Sequence, residues 1–153
     1  ANAVSIPVIA AGGIATGRQM FAAMALGADG VQVGSRFVCS NEASNHIHFK
    51  NAIINSNEGD TLLSMKKIVP VRLLRNNFFE QIKEAELNGA SAEKLSEILG
   101  RGRAKKGMFE GDIENGELEI GQVSSLINDI KPAAEILKEI WNDFQHAIKR
   151  PFD

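Results

Sequence analysis

The residues best suited to chemistry in this chain of 153 residues form two glycine turns near its start. Gly12 and Gly13 follow one apolar run, and Gly34 with Ser35 follows the next. Because glycine has no side chain, a ligand can approach its backbone, and amide groups that converge ahead of a helix can bind a phosphate. Two such turns favour a phosphate site, although each could also be a bare connection between elements.

The flanking patterns predict that both turns follow parallel strands. Residues 4–11 (VSIPVIAA) form a continuous apolar run, which is typical of a parallel strand buried on both faces. Thr16 and Gln19 have the spacing of a helix capping box, Gly27 stands where that helix ends, and a second short strand ends at Gly34. Strand, helix and strand in this order predict a βαβ unit. In a (β/α)8 barrel, the loops after strands seven and eight commonly bind phosphate.

The pattern changes near residue 40, and the remainder of the chain is predicted to be mainly helical. Predicted helices cover residues 41–56, 77–89, 91–100 and 131–148, with an extended stretch at 66–74, a loop at 101–121 and a short helix or strand at 122–127. The chain thus divides into residues 1–40 and 41–153. Two parallel strands cannot cover their own faces, so we expect the chain to be the last part of something larger.

Composition narrows the class of protein. Hydrophobic residues make up 44% of the chain and charged residues 24%, as in ordinary globular proteins. The net charge of -2 gives no general attraction for nucleic acid or for an anionic membrane. Cys39 is the only cysteine, which rules out an internal disulfide and predicts a cytoplasmic protein. No apolar stretch has the length of a transmembrane helix.

Three other groups of residues have a plainer interpretation than a site. His46 and His48 are two residues apart, so a helix would point them to different faces; we expect no metal and a polar contact at a helix start. Cys39 is expected to be a small buried residue rather than a nucleophile. Residues 101–106 (RGRAKK) are expected to be a solvated loop that pairs with the acids of residues 110–119.

The segment PVIAAGGIATGRQMFAAMALGADGVQVGSRF closely resembles the end of the barrel in the nitronate monooxygenase family, once called 2-nitropropane dioxygenases. It is also similar to the FMN-dependent enoyl-acyl-carrier-protein reductases, which share that fold. The resemblance continues through NEASNHIHFKNAI and resumes at GRGRAKKGMFEGDIENGELEIGQVSSLI. It implies an α/β fold: the C-terminal part of a (β/α)8 TIM barrel, with its last two strands in residues 1–40, and a mainly helical segment, residues 41–153, that packs on the barrel.

The resemblance also implies a site for the FMN phosphate, held by backbone groups of the AGGI and QVGS turns. The residues carried over are Gly12, Gly13, Gln32, Val33, Gly34 and Ser35. Family members usually have threonine where this chain has Ser35, so the hydroxyl is retained. By the same analogy, Gln122 is expected to approach the flavin.

The implied activity is FMN-dependent redox chemistry on a small molecule. It would be the oxidation of a nitronate-like carbanion, or the reduction of an enoyl thioester with NAD(P)H. The family's catalytic histidine lies in a glycine-flanked motif ahead of the first strand, and this chain has no such motif. We therefore expect no catalytic residue here, and an isolated chain that is inactive without the missing N-terminal portion or oligomerisation. The alternatives are a non-flavin phosphate-binding barrel, such as an inosine-monophosphate-dehydrogenase-like enzyme, or a non-catalytic remnant that needs a partner chain.

Overall fold

The computed structural model describes residues 1–150, which form two compact units. One unit contains Ala1–Ala43 and the chain from Asp129 onward, and the other is Ser44–Asn128. In chain order the elements are β1 (Ile9–Ala11), α1 (Gly17–Ala25), β2 (Gly30–Gln32), α2 (Ser35–Val38), α3 (Ile47–Ile54), β3 (Thr61–Ser64), β4 (Val71–Leu74), α4 (Asn77–Leu87), α5 (Ala92–Leu99), α6 (Arg103–Met108), a 3-10 helix (Gln122–Leu126) and α7 (Ala133–Lys149).

The first unit is built on the predicted βαβ arrangement. β1 and β2 are parallel, with Ile9 opposite Gly30 and Ala11 opposite Gln32. The capping box of α1 is confirmed, because Thr16 and Gln19 bond reciprocally. The strand predicted over residues 4–11 is shorter than expected, and Ile9 is exposed. Both differences arise because β1 pairs with β2 and with no other strand in residues 1–150.

Helix α7 completes this unit by packing along α1, which explains why the chain from Asp129 onward belongs with its beginning. Its buried row consists of Ile136, Ile140, Phe144 and Ala147. The sequence predicts a helix here whose apolar face consists of Ala133, Leu137, Ile140, Phe144 and Ile148. Ile140 and Phe144 are buried as predicted, whereas Leu137 and Ile148 are exposed, because α1 covers only one side of a helix that is apolar over a wider arc.

The second unit combines a small sheet with helices. β3 and β4 form an antiparallel hairpin, and residues 117–120 pair with β4 through backbone hydrogen bonds. Helices α4 and α5 follow the hairpin in the chain, and the buried core that they share with it contains Met65, Leu73, Phe78, Phe79, Ile82 and Leu95. The extended stretch predicted at residues 66–74 contains β4, but β3 was not predicted, because a strand of four residues shows little pattern.

The expected loop at residues 101–121 is wrong for its first part, where α6 forms. Two contacts stabilise this short helix despite its glycines. The side chain of Arg103 donates hydrogen bonds to the carbonyl oxygens of Ile98 and Leu99, at the end of α5. Gly107 packs so closely against the backbone of Glu117 that a side chain there would collide with it.

None of the helices in residues 1–150 has the length and apolarity needed to span a membrane.

Candidate functional site

The register of the two parallel strands brings the two glycine turns to one edge of the sheet. Ala11 is opposite Gln32, so the turn that starts at Gly12 lies beside the turn that starts at Val33. Neighbouring strands are about 4.8 Å apart, and a group at this edge can therefore reach both turns. The structure thus brings together the six residues that the sequence nominates in the first unit.

The main chain is open to solvent at the glycines of these turns. Gly12 and Gly13 have φ of +90° and +70°, a conformation that favours glycine, and a Cβ atom on either would meet no atom within 4 Å. Gly34 differs in an informative way. Its φ of -107° suits any residue, and a Cβ atom there would likewise meet nothing within 4 Å. Neither backbone strain nor packing explains a glycine at residue 34, whereas close approach of a ligand does.

Several backbone amides at the start of α1 already donate hydrogen bonds within the protein. The backbone N–H groups of Ala15 and Thr16 donate to the Oε1 atom of Gln19, at 2.8 and 3.1 Å, and the N–H of Gln19 donates to the hydroxyl of Thr16 at 3.2 Å. The N–H of Arg18 donates to the carboxylate of Asp143, on α7, at 2.8 Å. These four amides are thus engaged by the protein, which favours the glycine turns as the donors for a phosphate.

An ion pair anchors the second turn. Arg36, the residue after Ser35, is only 8% exposed, and its guanidinium contacts the carboxylate of Asp129 at 2.5 Å. Burial acts against ionisation of Asp129, but the hydrogen bond from Lys131 and the charge of Arg36 outweigh it and hold the pKa of that carboxyl below its usual value. Lys131 also contacts Glu139, on α7, at 2.6 Å. The turn after β2 is thereby fixed to the segment that leads into α7.

Gln122 lies in the second unit, where it is exposed at the first position of the 3-10 helix. The helix itself is held by Val123 and Ser124, which are buried. The approach of Gln122 to a flavin stays a prediction.

The expected polar contact of His46 at a helix start and the expected burial of Cys39 are confirmed. The expectation that His46 and His48 point to different faces is wrong: their ring centroids are 4.5 Å apart, because His46 caps α3 and lies outside the helix. His46 caps the start of α3, where its Nδ1 atom accepts a hydrogen bond from the backbone N–H of His48 at 3.1 Å. Within residues 1–150, no three potential metal-binding side chains of the His, Cys, Asp and Glu types form a cluster. Cys39 is fully buried.

The basic residues at 101–106 pair with nearby acids, as expected. Lys105 contacts Glu110 at 2.9 Å, and Lys106 contacts Asp112 at 2.8 Å. The guanidinium of Arg103 is directed inward and lies 4.7 Å from the ring centre of Phe78. Arg103, Lys105 and Lys106 therefore have structural contacts that account for their charges.

The residues that support the glycine turns are not evident from the sequence. These are Gly17, Arg36, Asp129 and Asp143. A glycine in the first turn of a helix is a weak indication of close packing, and Gly17 shows it: a Cβ atom there would overlap the backbone of Phe144. The charged residues carry no comparable pattern, because each bonds to a partner far away in the chain.

Comparison with known proteins identifies the family. Residues 1–143 match the family model of nitronate monooxygenase. The chain belongs to the nitronate monooxygenase family. A probable nitronate monooxygenase of Staphylococcus aureus is 34% identical over 151 residues, which are 97% of this chain and 41% of the relative. The chain therefore spans about two fifths of the length of such curated relatives.

Solved structures show the same relationship. FabK from Thermotoga maritima matches with a TM-score of 0.90 and 40% identity, over 98% of this chain and 48% of that one. Nitroalkane oxidase from Streptomyces ansochromogenes matches with a TM-score of 0.79 and 28% identity, over 97% and 42% of the two chains. This member of the nitronate monooxygenase family is thus an α/β structure. It is similar to about half of the chain of each of those TIM-barrel enzymes.

Proposed function

We propose that this chain provides the phosphate-binding part of an FMN site in an FMN-dependent oxidoreductase. The phosphate would be held at the common edge of β1 and β2 by Gly12 and Gly13 on one side and by the QVGS turn (residues 32–35) on the other. In the barrel this edge corresponds to the ends of strands seven and eight, where phosphate sites are common.

The observation that carries this proposal is the open backbone at Gly34. Its φ is accessible to every residue and no neighbour would obstruct a side chain, so the fold itself does not require glycine there. A ligand that must approach the main chain does require it. Gly12 and Gly13, in the adjacent turn, present an equally open backbone.

The chain's own residues would bind and orient the cofactor. Backbone N–H groups of the two turns would donate hydrogen bonds to the phosphate oxygens, and the hydroxyl of Ser35 can add one more. Hydrogen bonds to a charged acceptor contribute about 1.5–3 kcal/mol each, so two or three of them suffice for strong selection of a phosphorylated flavin. When bound, FMN supplies the electron transfer, and the protein controls its position.

Oxidation of a nitronate-like carbanion is the reaction that we favour. The family match and the structural similarity to a nitroalkane oxidase support it. Reduction of an enoyl thioester by NAD(P)H is the alternative, supported by the resemblance of residues 7–37 to FMN-dependent enoyl-acyl-carrier-protein reductases. The two reactions are separated by assaying the intact protein with a nitronate and oxygen, and with an enoyl thioester and NAD(P)H.

Binding of FMN and of riboflavin to the intact protein tests the phosphate site directly. Each flavin is titrated with protein, and the quenching of flavin fluorescence gives the two dissociation constants. We expect FMN to bind at least about tenfold more tightly than riboflavin, which lacks the phosphate. Equal affinities, or no binding of either flavin, would refute the proposal, and binding of other phosphate compounds alone would favour a non-flavin barrel.

The variant Gly34→Asp tests whether the phosphate binds at this turn. It places a carboxylate in the open space without backbone strain, and it should abolish the preference for FMN by repulsion and obstruction. Ala25→Asp, at the exposed far end of α1, adds the same charge away from the turns. This control should retain the wild-type ratio of affinities. A Gly34→Asp protein that still prefers FMN would place the phosphate elsewhere.

A further inference from the structure

We propose that Asp143 is a positioning residue of this phosphate site. Resting on the function proposed above, the inference is that Asp143 occupies the start of α1 and thereby directs the phosphate to the glycine turns. Asp143 would act without touching the cofactor.

The first step concerns the position of α1. Gly12 and Gly13 lead directly into this helix, so the place where α1 begins determines where their N–H groups point. Helix α7 crosses α1 at this place. A Cβ atom on Gly17 would overlap the backbone N of Phe144 and the carbonyl O of Ile140, which shows how close the two helices are.

The second step concerns the amides at the start of α1. A helix start attracts anions because its first N–H groups have no partner within the helix and the helix dipole is positive there. In α1 the N–H of Arg18 already donates to the carboxylate of Asp143 at 2.8 Å. The N–H of Thr16 donates to the side chain of Gln19, and the N–H of Gln19 donates to the hydroxyl of Thr16. An anion from the protein thus already occupies the place that a phosphate would otherwise take.

The bonds at the start of α1 bear on where a phosphate can bind. Because the amides of Ala15, Thr16, Arg18 and Gln19 are engaged, a phosphate at this edge would use the amides of the glycine turns. Loss of the Asp143 carboxylate would leave the N–H of Arg18 without its acceptor and release α1 from α7. The glycine turn would then lose its orientation and bind the phosphate less tightly.

The test compares FMN and riboflavin binding in three variants of the intact protein. We expect Asp143→Ala to weaken FMN binding by about tenfold and to leave riboflavin binding within about twofold of wild type. The difference arises because the glycine turn would contact only the phosphate, which riboflavin lacks. Asp143→Asn retains an oxygen that can accept from Arg18, so it should restore FMN affinity to within about threefold of wild type. Asn142→Ala removes the exposed neighbouring side chain and should change neither value.

Gln19→Ala covers the case in which Asp143→Ala does not fold. It removes the acceptor of the Ala15 and Thr16 amides without changing α7, and it should lower the ratio of FMN to riboflavin affinity in the same direction. An unchanged ratio in the folded Asp143→Ala protein, or tighter FMN binding, would overturn the inference. If instead the wild-type protein shows no preference for FMN, it is the proposed phosphate site that fails.

Discussion

The guanidinium of Arg36 donates hydrogen bonds to the carboxylate and to the main-chain carbonyl of Asp129, at 2.5 and 3.1 Å. Arg36 lies in α2, immediately after the second glycine turn, whereas Asp129 precedes α7. The pair therefore connects one side of the proposed phosphate site to the segment that returns from the second unit. The pair involves a nearly buried charge.

We expect Arg36→Ala to lower the free energy of unfolding by about 2–3 kcal/mol, because it removes the partner of Asp129 and leaves a gap in the interior. The value is below that of a fully buried pair, since solvent reaches Asp129. Urea denaturation measures it. Arg75→Ala, which removes an exposed arginine, should change stability by less than about 0.5 kcal/mol. Equal stability of the two variants would contradict a structural role for the ion pair.

The capping box gives a second prediction. Thr16→Ala removes the hydroxyl that accepts from the N–H of Gln19, and we expect it to cost about 1 kcal/mol of stability. Thr16→Ser keeps the hydroxyl, so its stability should lie within about 0.3 kcal/mol of wild type. Thermal unfolding followed by circular dichroism distinguishes them. If both variants lose the same amount, the methyl group rather than the cap is responsible.

The features that sequence reasoning found are those encoded by neighbouring residues. A capping box needs only Thr16 and Gln19, and a left-handed helix end needs only a glycine at residue 27, whose φ is +99°. The position of the two turns at one edge follows from the right-handed βαβ unit alone. The family followed from the same segment, and the match of residues 1–143 confirms it.

The missed features depend on pairs that are far apart in the chain. Arg36 and Asp129 are separated by 93 residues, and Arg18 and Asp143 by 125. No local sequence pattern indicates such a pair. The apolar face of α7 was assigned from periodicity, which does not tell which side of a broad apolar arc a neighbouring helix will cover. The buried row around Ile140 is a result of packing against α1.

Gly17 gives a third prediction, which separates two roles of glycine. Gly17→Ala would force a methyl group into the backbone of α7, and we expect it to cost about 3 kcal/mol of stability. Gly34→Ala places the same methyl group in open space at an ordinary φ, so stability should stay within about 0.5 kcal/mol of wild type. Chemical denaturation of both variants tests the contrast. A stable Gly17→Ala protein would show that α1 and α7 can separate at little cost.

Glu117 gives a prediction about pH. It is 6% exposed, and burial, with the nearby charge of Glu119, raises its pKa to about 7 against the opposing charge of Arg103. Because the folded protein holds this proton more tightly than the unfolded chain, Glu117 contributes stability below its usual pKa of 4.5 and loses it as pH rises through about 7. Glu117→Gln removes the titration, so its stability should exceed that of wild type at pH 8 by up to about 3 kcal/mol and match it near pH 4.

The measurement is urea denaturation of wild type, Glu117→Gln and Glu114→Gln at several pH values between 4 and 8. Glu114 is exposed, so its variant should follow the wild-type curve and controls for the loss of one negative charge in this segment. The sign of the effect is decisive. If stability of the wild type increased from pH 5 to pH 8 relative to Glu117→Gln, the carboxylate of Glu117 would be stabilised in the folded state, and burial would not dominate its surroundings.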